Sequence, residues 1–329
     1  MGRFGEQPAG SCCRHPETIF DLASLTKPLA TGLALMKLVQ DEKLQLDQPL
    51  TELVSKPIPN DKRSITSRLL LCHSAGLKDY QTFYLELEKI EPEQRRPFLR
   101  DLLIQSPLAY EPGQGVLYSD LGFMMLEWIV AEKAEMPLPG FLKMHFYNPL
   151  GLQSTFLKEN RLPLPYPLNR FAATEDCPWR KRMIQGETHD ENAHVLGGYS
   201  GHAGLFGTIE EVHSLVNFLR EHYYGMRSDF FTPPTVKTFF TKQKISAEST
   251  WALGWDTPSS EHSSAGRYFS ENSYGHLGFT GTSVWMDLEK DVIVIFLTNR
   301  VHPTRENIKI RPFRPRIHDA VMEELGFKR

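Results

Sequence analysis

Apolar positions recur along this chain in two registers. LATGLALMKLVQ and LGFMMLEWIVA are nearly continuous apolar runs of helical length, whereas VIVIFLT is a short β-branched run suited to a buried strand. These patterns predict helices near 25–41, 64–72, 94–105, 120–135, 139–147, 209–222 and 234–241, and a last helix near 314–326. Strand-like runs gather at 251–256, 274–287 and 291–298. The stretch YGHLGFTGTSVWMD reads as one glycine-punctuated strand, followed by a turn at Leu288-Glu289-Lys290-Asp291 and the VIVIFLT strand. Helices in the middle and strands near the end predict an α+β fold with a helical insertion.

Three short segments carry candidate chemistry. Ser24 and Lys27 lie three residues apart at the front of the first helix, which places a hydroxyl and an amine on one face about 5–6 Å apart at Cβ. A serine at a helix start also meets free N–H groups and the positive end of the dipole. Tyr118 follows the turn-rich EPGQGVL and precedes an apolar helix, so its phenol sits at a helix entrance. Asp120, two residues on, is placed either to cap that helix or to enter the site, and the two roles are compatible. His276-Leu277-Gly278 falls on the predicted glycine-punctuated strand.

With these elements in this order, residues 20–329 resemble the serine β-lactamase and penicillin-binding protein superfamily, in its class C-like branch. That branch also holds family VIII carboxylesterases and D-amino-acid peptidases. FDLASLTKPLATGLALMKLV resembles the nucleophile helix, LLLCHSAGL the turn after it, YSDLGF the tyrosine loop and GHLGFTGTS the third-motif strand. The resemblance implies a β-lactamase/DD-peptidase-like fold, an antiparallel sheet flanked by helices plus an all-helical lobe. Residues 1–62 and 236–329 would form the sheet domain and 63–235 the helical lobe, with the active site between them. It further implies acyl transfer, with Ser24 as nucleophile and Lys27 and Tyr118 sharing the proton relay. The backbone N–H groups of Ser24 and Phe279 would form the oxyanion hole, and Asp120, His276 and Gly278 would face the substrate. Amine and phenol both have ordinary pKa values near 10, so one of them is expected to be depressed.

Departures from the family pattern shape the expected substrate. Asp120 stands where an amide is usual, and a carboxylate cannot donate a hydrogen bond to a substrate carbonyl. His276 and Leu277 stand where the third motif usually has lysine and threonine, which removes a fixed ammonium and a hydroxyl. A serine hydrolase acting on a small ester, amide or β-lactam substrate is expected, esterase-like in preference. The alternatives are a weak β-lactamase or D-amino-acid or cell-wall peptide hydrolase, and a non-catalytic binding protein on the same scaffold. Only 23 residues precede Ser24, so the N-terminal elements are expected to be shortened. The sheet edge this leaves would be open, giving a monomer or, if a second copy covers it, a homodimer.

Composition narrows the remaining classes. A net charge of -3 argues against nucleic acid, and Arg311, Arg314 and Arg316 are expected on a solvated face. Absent a long apolar run or a leader-like start, a cytoplasmic protein off the membrane is expected. Cys12, Cys13, Cys72 and Cys177 have no framework spacing and are expected as free thiols, with Cys72 a buried apolar filler. The histidine-rich ETHDENAH (187–194) lacks H-E-x-x-H spacing, so neither metal nor cofactor is expected. It is read as a polar loop rimming the cleft, beside Gly197, Gly198, Gly201 and Gly204, which let backbone pass close to other elements.

Overall fold

The computed structural model describes residues 15–246 and 249–328. Its helices are α1 (Leu33–Gln40), α2 (Leu50–Leu53), α3 (Ser67–Leu71), α4 (Tyr84–Leu87), α5 (Pro92–Gln105), α6 (Asp120–Ala134), α7 (Leu138–Leu142), α8 (Glu191–Val195), α9 (Ile209–Tyr223), α10 (Pro233–Phe239) and α11 (Ile310–Glu324). The strands are β1 (Phe20–Asp21), β2 (Phe156–Leu157), β3 (Ala173–Cys177), β4 (Arg182–Gln185), β5 (Leu205–Gly207), β6 (Ser273–Leu277), β7 (Ser283–Asp287) and β8 (Val292–Phe296). They form two three-stranded sheets, β1-β5-β2 and β6-β7-β8, and a β3-β4 hairpin. The middle of the chain thus adds β2 to β5 to its helices.

Most predicted helices are present within a few residues, and the differences have local causes. The first predicted helix opens as a 3₁₀ turn at Ala23–Leu25 and a wide π turn at Lys27–Gly32 before α1 begins. Pro28 offers no N–H at this entry, so a regular i to i−4 ladder cannot start there. The run at 274–287 is two strands. Gly278 N donates to Thr282 O at 2.7 Å and Gly281 takes φ +115°, which folds the chain back so that His276 faces Val284 across the ladder. Residues 251–256 form only isolated bridges, Trp251 with Asp256 and Asp256 with Gly275. Helix α11 starts a turn earlier than expected: Pro312 lies in its first turn, where N–H groups need no helical partner, while Pro315 lies inside the helix and leaves one bond of the ladder unmade.

The core is organised around α6. Leu121, Phe123, Met124, Met125, Leu126, Trp128, Ile129 and Val130 are all buried, as in a helix apolar on every side. It packs on α1, α3, α5 and α7, and so fixes its N-terminal end against the nucleophile segment. Helix α9 packs on β8. Cys72 and Cys177 are buried free thiols, burial lifting Cys72 to about 11, and Cys12 and Cys13 lie outside the described residues. No helix among the described residues is long and apolar enough to cross a membrane.

The glycines at 197–204 thread backbone between layers. Gly198 and Gly204 have φ +106° and +109°, and the Gly201 carbonyl accepts from Thr31 Oγ1 at 2.7 Å. A Cβ on Gly201 would overlap the Phe123 carbonyl of α6. Gly201→Ala should therefore destabilise the fold by about 1–3 kcal/mol through overpacking, read as a lower urea midpoint at unchanged slope.

Candidate active site

Strand β1 pairs with β5 and delivers the chain to a tight turn. The Asp21 carboxylate accepts from Ala23 N at 2.8 Å and His189 N at 2.7 Å, fixing both the turn and the 189 loop. Ala23 takes φ +47°, a left-handed conformation that costs a non-glycine residue roughly 1–2 kcal/mol. Burial raises the Asp21 pKa, while the two backbone donors favour its charged form. Thr26 Oγ1 donates to Ala23 O at 2.6 Å and accepts from Leu205 N at 3.0 Å, so the turn is held from both sides.

The turn presents Ser24, half-buried, to Lys27, which is fully buried. Lys27 Nζ lies 3.1 Å from Ser24 Oγ, 2.7 Å from Asp120 Oδ1 and 3.3 Å from the His202 carbonyl. It also sits 4.8 Å from the centre of the Tyr118 ring. Burial alone would lower the Lys27 pKa, but Asp120 and Tyr118 outweigh it and raise the value. Burial also raises Tyr118; the Lys27 charge pulls it down, Asp120 pushes it up, and the net direction is upward. The expected depression of one of the pair is therefore corrected. Asp120 cancels the cation that would otherwise draw a proton from the phenol, and both groups rest protonated at neutral pH.

Asp120 is not the helix cap. Ser119 Oγ accepts from Gly122 N at 3.2 Å in that role, which leaves the Asp120 carboxylate free to pair with Lys27. The loop carrying Tyr118 is fixed by His73, a residue the motif reading passed over. His73 Nδ1 accepts from Ser119 N at 3.0 Å, and its ring lies 4.6 Å from Tyr118 and 4.3 Å from Trp251. Burial and the Lys27 charge keep His73 neutral, well below the usual histidine range. Its sequence signal was its place in LLLCHSAGL, beside glycine-aided turn chemistry.

The third-motif hairpin is stitched to the nucleophile turn by hydroxyls. Thr280 Oγ1 donates to Asp21 O at 2.8 Å and Thr282 Oγ1 to Leu22 O at 3.1 Å. A Cβ on Gly278 would press on the Leu22 carbonyl, so only glycine allows this approach. The N–H groups of Ser24 and Phe279 donate to no protein acceptor among the described residues. His276 is buried with Nδ1 turned to Leu277 O at 2.9 Å and Nε2 without a protein partner. Burial and Lys27 bring it to about 3, so it is a neutral imidazole. The Phe279 ring is 48% exposed at the rim, stacked on His189 and covered by Arg300 at 4.4 Å.

Beyond Asp120 the 187–204 segment builds a second layer. His202 Nε2 and Asp190 Oδ1 are 2.9 Å apart, and Asp190 also caps α8 through Ala193 N at 2.7 Å. Burial opposes the Asp190 charge, but His202 holds its pKa down to about 2. His189 bonds Glu175 at 2.9 Å, and Arg305 bridges Glu175 and Glu191. Asp120, Asp190 and His202 offer ligand atoms within 4.8 Å of one another, the one such group with metal-ligand chemistry among the described residues. The cation already beside Asp120 is Lys27, and Asp190 is engaged by His202. Of the three arginines expected on a solvated face, Arg314 is instead buried, donating to Gly278 O and Thr282 O. Helix α11 turns that position inward, whereas Arg311 and Arg316 are exposed.

The family model described as Beta-lactamase matches residues 14–316. The chain belongs to the β-lactamase family. Together with the geometry above, membership makes it a serine hydrolase. Among its relatives, an N-acetylmuramyl-L-alanine amidase of Bacillus subtilis (strain 168) is 33% identical over 307 residues, covering 87% of this chain and 68% of the relative. A putative D-alanyl-D-alanine carboxypeptidase of Salmonella agona (strain SL483) is 31% identical over 317 residues, covering 90% and 72%. In fold the chain is similar to EstCE1, a hydrolase with promiscuous acyltransferase activity, at TM-score 0.68 and 24% identity over 93% of this chain and 85% of that one. It is likewise similar to the penicillin binding protein from Bacillus halodurans, at TM-score 0.67 and 19% identity over 93% and 87%. At these identities the two structural likenesses speak to the fold alone.

Because Asp120 stabilises the acid forms of both Lys27 and Tyr118, Asp120→Asn should lower both pKa values. The acid limb of kcat/KM for a serine-dependent ester should move to lower pH, so that the variant-to-native ratio is highest near pH 6 and declines as pH rises. A pH–rate profile from 5 to 10 checks this, and an unmoved limb refutes it.

Proposed function

We propose that this enzyme cleaves small ester or amide bonds through an acyl-enzyme on Ser24. The supporting observation is the 3.1 Å approach of Lys27 Nζ to Ser24 Oγ, with Tyr118 beside both and, across the turn, two backbone N–H groups that donate to no acceptor among the described residues. A serine hydroxyl is weak at its own pKa and needs an adjacent base. That base is the Lys27–Tyr118 pair in the form that has lost one proton, which Asp120 holds in reserve. Ser24 Oγ forms a bond to the substrate carbonyl carbon, its proton passes to the pair, and the negative oxygen settles against the N–H groups of Ser24 and Phe279. Collapse breaks the bond to the leaving group, which takes the proton from the pair. Water then repeats the sequence on the acyl-enzyme, releasing the acid and free Ser24.

The chain's division into a sheet lobe (1–62 and 236–329) and an insertion (63–235) belongs to the same proposal. Ser24, Lys27, His276, Gly278 and Phe279 come from the first, Tyr118 and Asp120 from the second. Substrate contacts at Asp120 and at neutral His276 favour groups that donate hydrogen bonds over groups that carry a carboxylate. A second reading, hydrolysis of a D-amino-acid peptide or an amide of the cell wall, draws on the amidase and carboxypeptidase activities for which the two relatives are named. Asp120 and the uncharged His276 weigh against efficient β-lactam turnover.

The test is hydrolysis of p-nitrophenyl acetate and butyrate by the native protein and Ser24→Ala, with nitrocefin in parallel. Ester turnover should fall about 10³-fold or more in the alanine variant, with nitrocefin scarcely consumed by either. Turnover that survives in Ser24→Ala would overturn the assignment.

A further inference from the structure

Arg314 sits at the start of α11 with its side chain turned into the protein, 8% exposed. Its guanidinium donates through one nitrogen to Gly278 O at 2.7 Å and Thr282 O at 2.9 Å, the two carbonyls that flank the hairpin tip. No carboxylate pairs with it among the described residues, its one charged neighbour of note being Arg300, and Nε is buried without a partner. Burial, with Arg300 nearby, lowers its pKa to about 10, which still leaves it charged at neutral pH. An unpaired buried cation is among the more costly groups a fold can carry. A hydrophobic side chain of similar length would spare that cost at this position, so the charge calls for an explanation in what it touches.

What it touches is one end of a particular peptide unit. The carbonyl of Gly278 and the N–H of Phe279 belong to the same amide, and that N–H donates to no protein acceptor among the described residues. A charge-assisted hydrogen bond to an amide oxygen withdraws electron density through the conjugated unit and makes its N–H a stronger donor. The second bond, to Thr282 O, secures the opposite side of the turn whose Thr282 hydroxyl is anchored on Leu22 O. The cation thus lies behind the Gly278–Phe279 amide, on the side away from its free N–H.

We infer that Arg314 is a positioning residue that polarises and orients the Gly278–Phe279 peptide, strengthening the Phe279 N–H against the oxyanion formed during acyl transfer. This rests on the Ser24 acyl-enzyme reading. Arg314 touches no reacting atom, and its effect grows with the charge on the oxygen, so it acts on kcat more than on KM.

Arg314→Met removes the charge and both hydrogen bonds at similar length, and Arg314→Lys keeps the charge with fewer donors. With p-nitrophenyl butyrate, kcat of Arg314→Met should fall about 10–100-fold, part of the 10²–10³ that a lost oxyanion donor costs, with KM within about twofold. Inhibition by phenylboronic acid, whose tetrahedral adduct on Ser24 mimics the oxyanion, should weaken in step. Arg314→Lys should lie between. A folded Arg314→Met, judged by its circular dichroism melt, with unchanged kcat and unchanged boronate inhibition overturns the inference. If the methionine variant does not fold, the lysine variant decides by the same pair of readings. Loss of the Ser24 dependence itself in the native protein would instead overturn the acyl-enzyme reading, and this inference with it.

Discussion

An ammonium taken wholly out of water needs acceptors and a counter-charge from the protein, and Lys27 finds them in Ser24, Asp120 and the His202 carbonyl. Much of the surrounding architecture follows from that requirement. Asp120 reaches the amine because Ser119, one residue earlier, caps α6, which frees the carboxylate at the first helical position. The His202 carbonyl reaches it because Gly201, pressed on the Phe123 carbonyl of α6 and bonded to Thr31, lets the loop pass between α6 and the nucleophile segment without side-chain bulk. Asp190, paired to the His202 imidazole, fixes the residue whose backbone completes the ammonium's shell.

The same pairing carries a cost for reactivity. A carboxylate beside the amine keeps it protonated and removes the field that would ease a proton from Tyr118. An amide at that position would leave the cation uncompensated and the phenol more acidic. The site of this chain is therefore held in its acid form at rest, and its readiness for catalysis is set by a residue that does none of the bond-making.

How much of this was legible in the chain depended on sequence separation. Ser24 and Lys27 could be paired because three residues on a helical segment share a face, and α6 and β8 were plain from continuous apolar runs. Tyr118 and the 276–279 segment were legible through their order and flanking glycines. Asp21, His73, Asp190 and Arg314 were not: Asp21, His73 and Arg314 act on backbone groups 168, 46 and 36 residues distant, and Asp190 through the His202 ring, a contact that spacing alone does not predict. Arg314 read as surface charge because arginine usually is surface charge. The hairpin at 274–287 was merged into one strand because a turn built from Gly278-Phe279-Thr280-Gly281 keeps the alternation of a strand on both sides.

His276 works over a different range from the lysine usual at its position. With Nδ1 committed to the Leu277 carbonyl and the ring uncharged, it presents a single lone pair on Nε2. Such a group projects no field beyond a few ångströms, so it neither draws anions from solution nor weakens as salt screens the surface. Recognition at that point is short-ranged and directional, a matter of where a donor hydrogen lies and not of what net charge approaches.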